Sequence, residues 1–172
     1  MDTSLAIASK REVRRYDDRA LPDDAVRRIL DAGRVAGSSQ NRQNRRFVAV
    51  REDRGLLERL AATVFVPDNV AGSALAVAIV IRGKGPTAFD AGRAAQNMML
   101  AAWGDGIGSC PNGIADPEAL AAVLGHDDDE QVVTVLSFGY PARPADPERR
   151  TPDEWVERAD RLAFDDVVEV RS

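Results

Sequence analysis

Three short stretches carry side chains able to do chemistry. Lys10-Arg11-Glu12-Val13-Arg14-Arg15-Tyr16 sets four cations within six residues, and guanidinium forks match phosphate oxygens in two-point geometry. Taken alone, the run equally suits a solvated basic helix end, the commoner use of a charge run. Ser38-Ser39-Gln40-Asn41-Arg42-Gln43-Asn44-Arg45-Arg46-Phe47 gathers hydroxyls, amides and three arginines at the mouth of an apolar segment. That donor set suits a polar, anionic ligand, or a solvent-facing connection whose side chains satisfy irregular backbone. Between Gly104 and Gly113 stand four glycines in ten residues, a density that lets backbone approach a flat or charged ligand and present its N–H groups.

Other chemistries find no support. The glycine-rich stretch is no dinucleotide fingerprint, because it follows a helical pattern rather than a strand and its spacing differs. Gly83-Lys84-Gly85-Pro86-Thr87 lacks the upstream glycine of a P-loop. His126 is the only histidine and sits among Asp127, Asp128 and Asp129, the setting of a solvated side chain rather than a metal ligand. Nothing in the spacing brings Cys110 to His126 as a nucleophile and base, and Cys110 reads as a small residue filling space near a site. No pair of carboxylates stands out as an acid and base. An enzyme built on this chain therefore needs an organic cofactor for the hard step.

The 172 residues, 44% hydrophobic and 30% charged, are enough for one domain with a real core. A net charge of -5, a pI near 5.0 and 5% aromatic residues argue against nucleic-acid binding, which needs a wide basic face and stacking rings. One cysteine excludes an intrachain disulfide and suits a reducing cytoplasm. The N-terminal apolar stretch is too short for a signal peptide or a membrane span, so a cytoplasmic protein is expected.

These stretches need elements to hold them. Residues 22–36 form an amphipathic helix behind Pro22 and two aspartates. Residues 47–52 read as a strand, and 55–65 as a helix ended by Pro67. Residues 73–83 are an aliphatic run expected as a central strand covered on both faces. Residues 89–108 form a buried helix stopped by Gly104 and Gly106, 116–125 a helix capped by Asp116, and 131–141 another buried strand. A short helix near 153–163 precedes the tail. Helices around at least three strands, with uneven connections, indicate an α+β fold. The apolar tail Phe164, Val167, Val168 and Val170 needs cover, from its own domain or from the sheet edge of a partner subunit.

In order, these pieces resemble the nitroreductase family of flavin enzymes. The family's RRSVRxF pattern reads KREVRRY at 10–16, and its PSxxNxQPWRF reads SSQNRQNRRF at 38–47. The AGAAxQNLLLAA helix running into GLGSC reads DAGRAAQNMMLAAWGDGIGSCPNG at 90–113. The strand ending in GYP reads VVTVLSFGYP at 132–141, with ERRTPDEWV at 148–156 beyond it.

The resemblance implies a central, mostly antiparallel sheet flanked by helices in an intertwined homodimer. One flavin-binding domain would span residues 1–172, with the tail 164–172 packed on the partner subunit. It implies an FMN-dependent oxidoreductase that passes two electrons from NADH or NADPH to a nitro compound, quinone or similar small-molecule acceptor. FMN carries the hydride, no side chain is catalytic and no metal is needed. Carried over by position, Lys10, Arg11 and Arg14 meet the FMN phosphate and ribityl chain, while Ser38, Ser39, Asn41 and Gln43 reach the flavin. Pro111, Asn112 and Gly113 form the turn at the ring, and Arg149 or Arg150 completes the phosphate site. Glu12 stands at the family's serine and Asn44-Arg45 at its PW. A carboxylate about 5 Å from a phosphate costs on the order of 3 kcal/mol per charge at an effective dielectric near 20, so Glu12 must turn away or pair with an arginine. These two departures motivate an alternative, a family member that has lost catalysis and serves as a flavin- or ligand-binding sensor.

Overall fold

The computed structural model describes residues 1–171; Ser172, the end of the expected tail, lies outside the described residues. The chain divides into two compact units, Arg11–Ala145 and a smaller one made of Met1–Lys10 with the segment from Asp146 onward. In chain order the α-helices are α1 (Thr3–Ser9), α2 (Asp23–Arg34), α3 (Arg54–Ala61), α4 (Pro67–Ala71), α5 (Thr87–Gly104), α6 (Pro117–Leu124), α7 (Pro152–Glu157) and α8 (Phe164–Val167). The strands are β1 (Arg45–Val50), β2 (Leu75–Arg82), β3 (Gly108–Asn112) and β4 (Glu130–Gly139).

The larger unit is a three-layer sandwich. Its sheet has the order β1-β2-β4-β3, and every neighbouring pair is antiparallel. The aliphatic run is the central strand β2, buried from Leu75 to Ile81. Leu75, Val77, Ile79 and Ile81 face one core with α2 and α5. Ala76, Ala78 and Val80 face a second core with α3, α4 and α6. Each Val, Leu or Ile buried in this way contributes about 1.5–3 kcal/mol. A β-bulge in β4 shifts the register between Ile79 and Val80. It lets Val133 join Leu136 and Phe138 on the first face although their numbers differ in parity, because one extra residue reverses the alternation of a strand.

Local chemistry sets the element ends. Asp53 and Asp116 cap α3 and α6 through their side chains, satisfying N–H groups that the first helical turn leaves open. The expected helix at 55–65 is shorter: α3 stops at Ala61, and Pro67 opens α4 instead of closing α3, since proline's fixed φ suits a first helical turn. The glycine-rich stretch is only partly loop. Gly104 ends α5, Gly106 turns at φ 72°, and residues 108–112 form an edge strand. The sequence hides that strand because glycine, serine and proline are poor strand formers.

In the smaller unit α1 packs on α7, and Trp155 is buried. Part of the tail expected as an added strand is the helical turn α8, with Phe164 69% and Val170 85% exposed.

Candidate flavin site

The basic segment at 11–16 is extended backbone docked on the sheet, rather than a helix end. The Val13 N–H donates to Ser109 O at 3.0 Å, the Asp17 N–H to Tyr140 O at 2.9 Å and the Ala142 N–H to Arg15 O at 3.0 Å. Glu12 bridges to Ser109 and Tyr16 to Pro141. Two glycines permit the approach. A Cβ at Gly108 would stand 2.6 Å from Val13, and one at Gly139 2.8 Å from the Tyr16 ring. The Tyr16 hydroxyl lies 2.6 Å from Val13 O, to which it donates, and 3.0 Å from Ser137 Oγ. Burial pushes its pKa well above the usual phenol value, against the lowering effect of the Ser137 hydrogen bond. With this backbone fixed, Arg14 and Glu12 are exposed and Arg11 is half-buried.

Residues 38–43 form a strained loop. Gln40, Asn41 and Gln43 have φ of 52°, 53° and 51°, the left-handed region that non-glycine residues occupy at a cost of about 1–3 kcal/mol each. Local bonds hold it: Ser38 Oγ accepts from the Gln43 N–H at 3.0 Å, and Asp90 Oδ2 accepts from the Ser39 N–H at 2.9 Å. Gln40, Asn41 and Gln43 remain exposed. Ser38, Ser39, Asn41 and Gln43 therefore share one short loop.

The three arginines of this stretch now have structural roles. Arg42 donates to Gln40 Oε1 at 2.7 Å and to Lys84 O at 3.2 Å. Arg45 donates to Ala36 O and Gly33 O at the end of α2, where a cation meets the negative end of the helix dipole. Arg46 grips Glu130 with two nitrogens, at 2.9 and 2.6 Å. Asn44 joins the exchange by donating to Arg82 O at 3.1 Å. The polar Asn44-Arg45 pair thus has a structural reason in this chain.

Pro111, Asn112 and Gly113 lie at the end of β3, and their roles separate. Pro111 has no N–H to offer. The Asn112 side chain points into the unit, where its Nδ2 donates to Cys110 O at 3.0 Å and Val135 O at 2.9 Å. Its Oδ1 accepts from Asn69 Nδ2 at 3.0 Å. Asn112 is 4% exposed, so its amide is committed to the fold, and only the backbone of this turn is left to meet a ligand. Gly113 O accepts from the Phe65 N–H at 3.1 Å, placing the Phe65 ring 3.1 Å from where a Gly113 Cβ would stand.

In the smaller unit, Arg149 and Arg150 place their guanidinium carbons 5.7 and 5.0 Å from the centre of the Trp155 ring. Trp155 Nε1 donates to Pro147 O at 2.8 Å, and the capping box of Thr151 with Glu154 starts α7. Among the described residues the buried Arg150 Nη1 has no hydrogen-bond partner, a cationic donor in want of an acceptor. Lys10 ends α1, half-buried, its N–H donating to Ala6 O at 3.1 Å.

The sequence reading missed Asp90, Asn69 and Ser137, all buried. Asp90 alone left a signal: a carboxylate on the same helical face as Ala91, Ala94 and Ala95. Among the described residues no group of three or more His, Cys, Asp or Glu side chains could hold a metal ion, and no helix is long and apolar enough to cross a membrane.

This fold recurs in known proteins. The sequence model of the nitroreductase family matches residues 7–78 and 82–140. An Archaeoglobus fulgidus protein, provisionally named an NADH dehydrogenase/NAD(P)H nitroreductase, is 30% identical over 145 residues, covering 78% of this chain and 83% of its own. The crystal structure of a provisionally assigned nitroreductase from Desulfovibrio desulfuricans in complex with FMN is 30% identical, with a TM-score of 0.75 over 90% of this chain and 95% of that one. A nitroreductase family protein of Clostridium difficile 630 shares the fold, with a TM-score of 0.83 over 100% of this chain and 99% of its own at 21% identity. The chain belongs to the nitroreductase family, and with it to a class of oxidoreductases.

Proposed function

We propose that the protein is an FMN-dependent oxidoreductase that passes two electrons from NADH or NADPH to a nitro compound, quinone or similar small acceptor. It would act as a cytoplasmic homodimer, its whole chain one flavin-binding domain and its tail packed on the partner subunit. The observation that carries the reading is the donor set, above all the buried Arg150 Nη1, which has no acceptor among the described residues and which a phosphate oxygen would satisfy. Each unit offers cations suited to a phosphate, Arg11 and Arg14 in the larger and Lys10, Arg149 and Arg150 in the smaller. Ser38, Ser39, Asn41 and Gln43 would meet the ribityl hydroxyls and the pyrimidine edge, and the backbone of the Pro111, Asn112 and Gly113 turn would border the ring. Bound FMN would supply hydride chemistry between a nicotinamide and the acceptor. The chain's own part is to bind and orient the two partners.

The visible spectrum of the purified full chain tests this, before and after FMN is added and then after anaerobic NADH or NADPH. The expected result is flavin uptake followed by bleaching with one of the nicotinamides. Failure to take up FMN overturns the reading. Flavin retained but bleached by neither nicotinamide would turn it toward a ligand-binding family member.

A further inference from the structure

Asp90 is a buried carboxylate, 3% exposed, in the first turn of α5. Burying a carboxylate is costly unless the charge is met. It is met here by the Ser39 N–H at 2.9 Å and more loosely by Arg93 Nη1 at 3.9 Å. The same Arg93 lies over the loop's entry: a Cβ at Gly37 would come within 2.5 Å of its Nη2. Gly37 and Ser39 are thus both seated on the first turns of α5. Immediately beyond, Gln40, Asn41 and Gln43 hold left-handed conformations that persist only when the surroundings impose them.

We infer that Asp90 is a positioning residue, which holds the Ser38–Gln43 loop in its ligand-ready shape through the Ser39 N–H. The inference rests on the reading that this loop meets FMN. Without the carboxylate the loop would relax into an ensemble that a ligand must reorder on binding, which weakens affinity. Asn at this position keeps an oxygen for the Ser39 N–H; Ala does not.

The loop carries its own reporter, because trypsin cleaves after Arg42, which lies within it. In the full chain without FMN, Asp90→Ala should be nicked after Arg42 about tenfold faster than the parent, with cleavage after Arg59 in α3 unchanged. FMN should bind about tenfold or more weakly to Asp90→Ala, the loss expected for a charge-assisted hydrogen bond. Asp90→Asn should stay within about threefold of the parent in both measurements. Equal nicking of all three proteins overturns the inference. So does faster cleavage at Arg59 in step with the loop, or an Asp90→Asn as weak as Asp90→Ala. If the parent chain takes up no FMN, the flavin reading fails by itself, and the cleavage rates still decide the role of Asp90.

Discussion

Arg46 and Glu130 meet across the sheet as a two-point ion pair, with Arg46 Nε 2.9 Å from Oε1 and Nη2 2.6 Å from Oε2 of Glu130. Arg82 Nη2 adds a third contact at 2.5 Å. The two residues stand on β1 and β4, strands that do not touch, and Arg82 on β2 lies between them. The pair therefore ties three strands at one end of the sheet. The Glu130 side chain is 1% exposed, so the ties are shielded from water on the carboxylate side.

The pair predicts acid sensitivity with a definite sign. The hydrogen bonds from Arg46, then Arg82, hold the Glu130 carboxyl well below its ordinary value of 4.5. A carboxyl with a lowered folded pKa binds its proton more readily in the unfolded chain. Its contribution is complete above about pH 4.5 and disappears as the pH falls toward the folded value. Glu130→Gln should melt at lower temperature than the parent at pH 7, and the gap should narrow steadily below pH 4.5. A constant gap across that range in thermal melts would count against the pair.

Gly139→Ala should lower stability by about 1–3 kcal/mol, the ordinary cost of overpacking. The new methyl would stand 2.8 Å from Tyr16, at the root of the ring where a side chain yields least. Denaturant titration reads the loss. Because the displaced segment carries Arg11 and Arg14, FMN retention should fall as well.

Asn112→Ala should cost about 2–4 kcal/mol by stranding Asn69 and two carbonyls that the amide now serves. The loss should be the same with and without FMN, since the side chain faces the core. A variant of parental stability that loses only flavin would instead make the Asn112 side chain itself a flavin contact.

Arg150→Ala should weaken FMN retention by roughly 1.5–3 kcal/mol, the worth of a hydrogen bond to a charged group. Its melting temperature without FMN should fall only by the worth of the contact with the Trp155 ring, because Nη1 gives up no hydrogen bond among the described residues. Fluorescence titration with FMN checks the first statement and apo-protein melts the second.

Truncation after Ala163 removes Phe164, Val167, Val168 and Val170, all exposed on the chain by itself. If a partner subunit covers them, sedimentation should show a weaker dimer. A truncated chain that sediments like the parent would leave the tail without that role.

The sequence was readable where a single pattern controls the outcome. The unbroken aliphatic run at 75–81 could only be a strand covered on both faces, and Asp116-Pro117 announced α6 one residue early. The strand at 108–112 was unreadable, because Gly108 and Pro111 lack strand propensity and are chosen for close approach to Val13 and for the edge position. In the candidate site, residue types were legible and directions were not. Nothing in SCPNG tells that the Asn112 side chain faces inward to Val135 and Asn69, which leaves the expected contact of this turn to its backbone. Arg42, Arg45 and Arg46 looked like a cluster, and each answers a partner far away in sequence or outside the loop. Which way a polar side chain faces depends on long-range partners, and a local motif carries no record of them.

The hold of Arg45 on the carbonyls of Ala36 and Gly33 makes the intervening stretch a closed ring, pinned at its neck like a drawstring bag. The helix and the strand on either side are braced against each other at that neck. Changes within the ring that spare its ties from Ser39 to Asp90, Arg42 to Lys84 and Asn44 to Arg82 need not reach the framework. The loop can therefore vary at its free positions while the sheet and helices stay where they are.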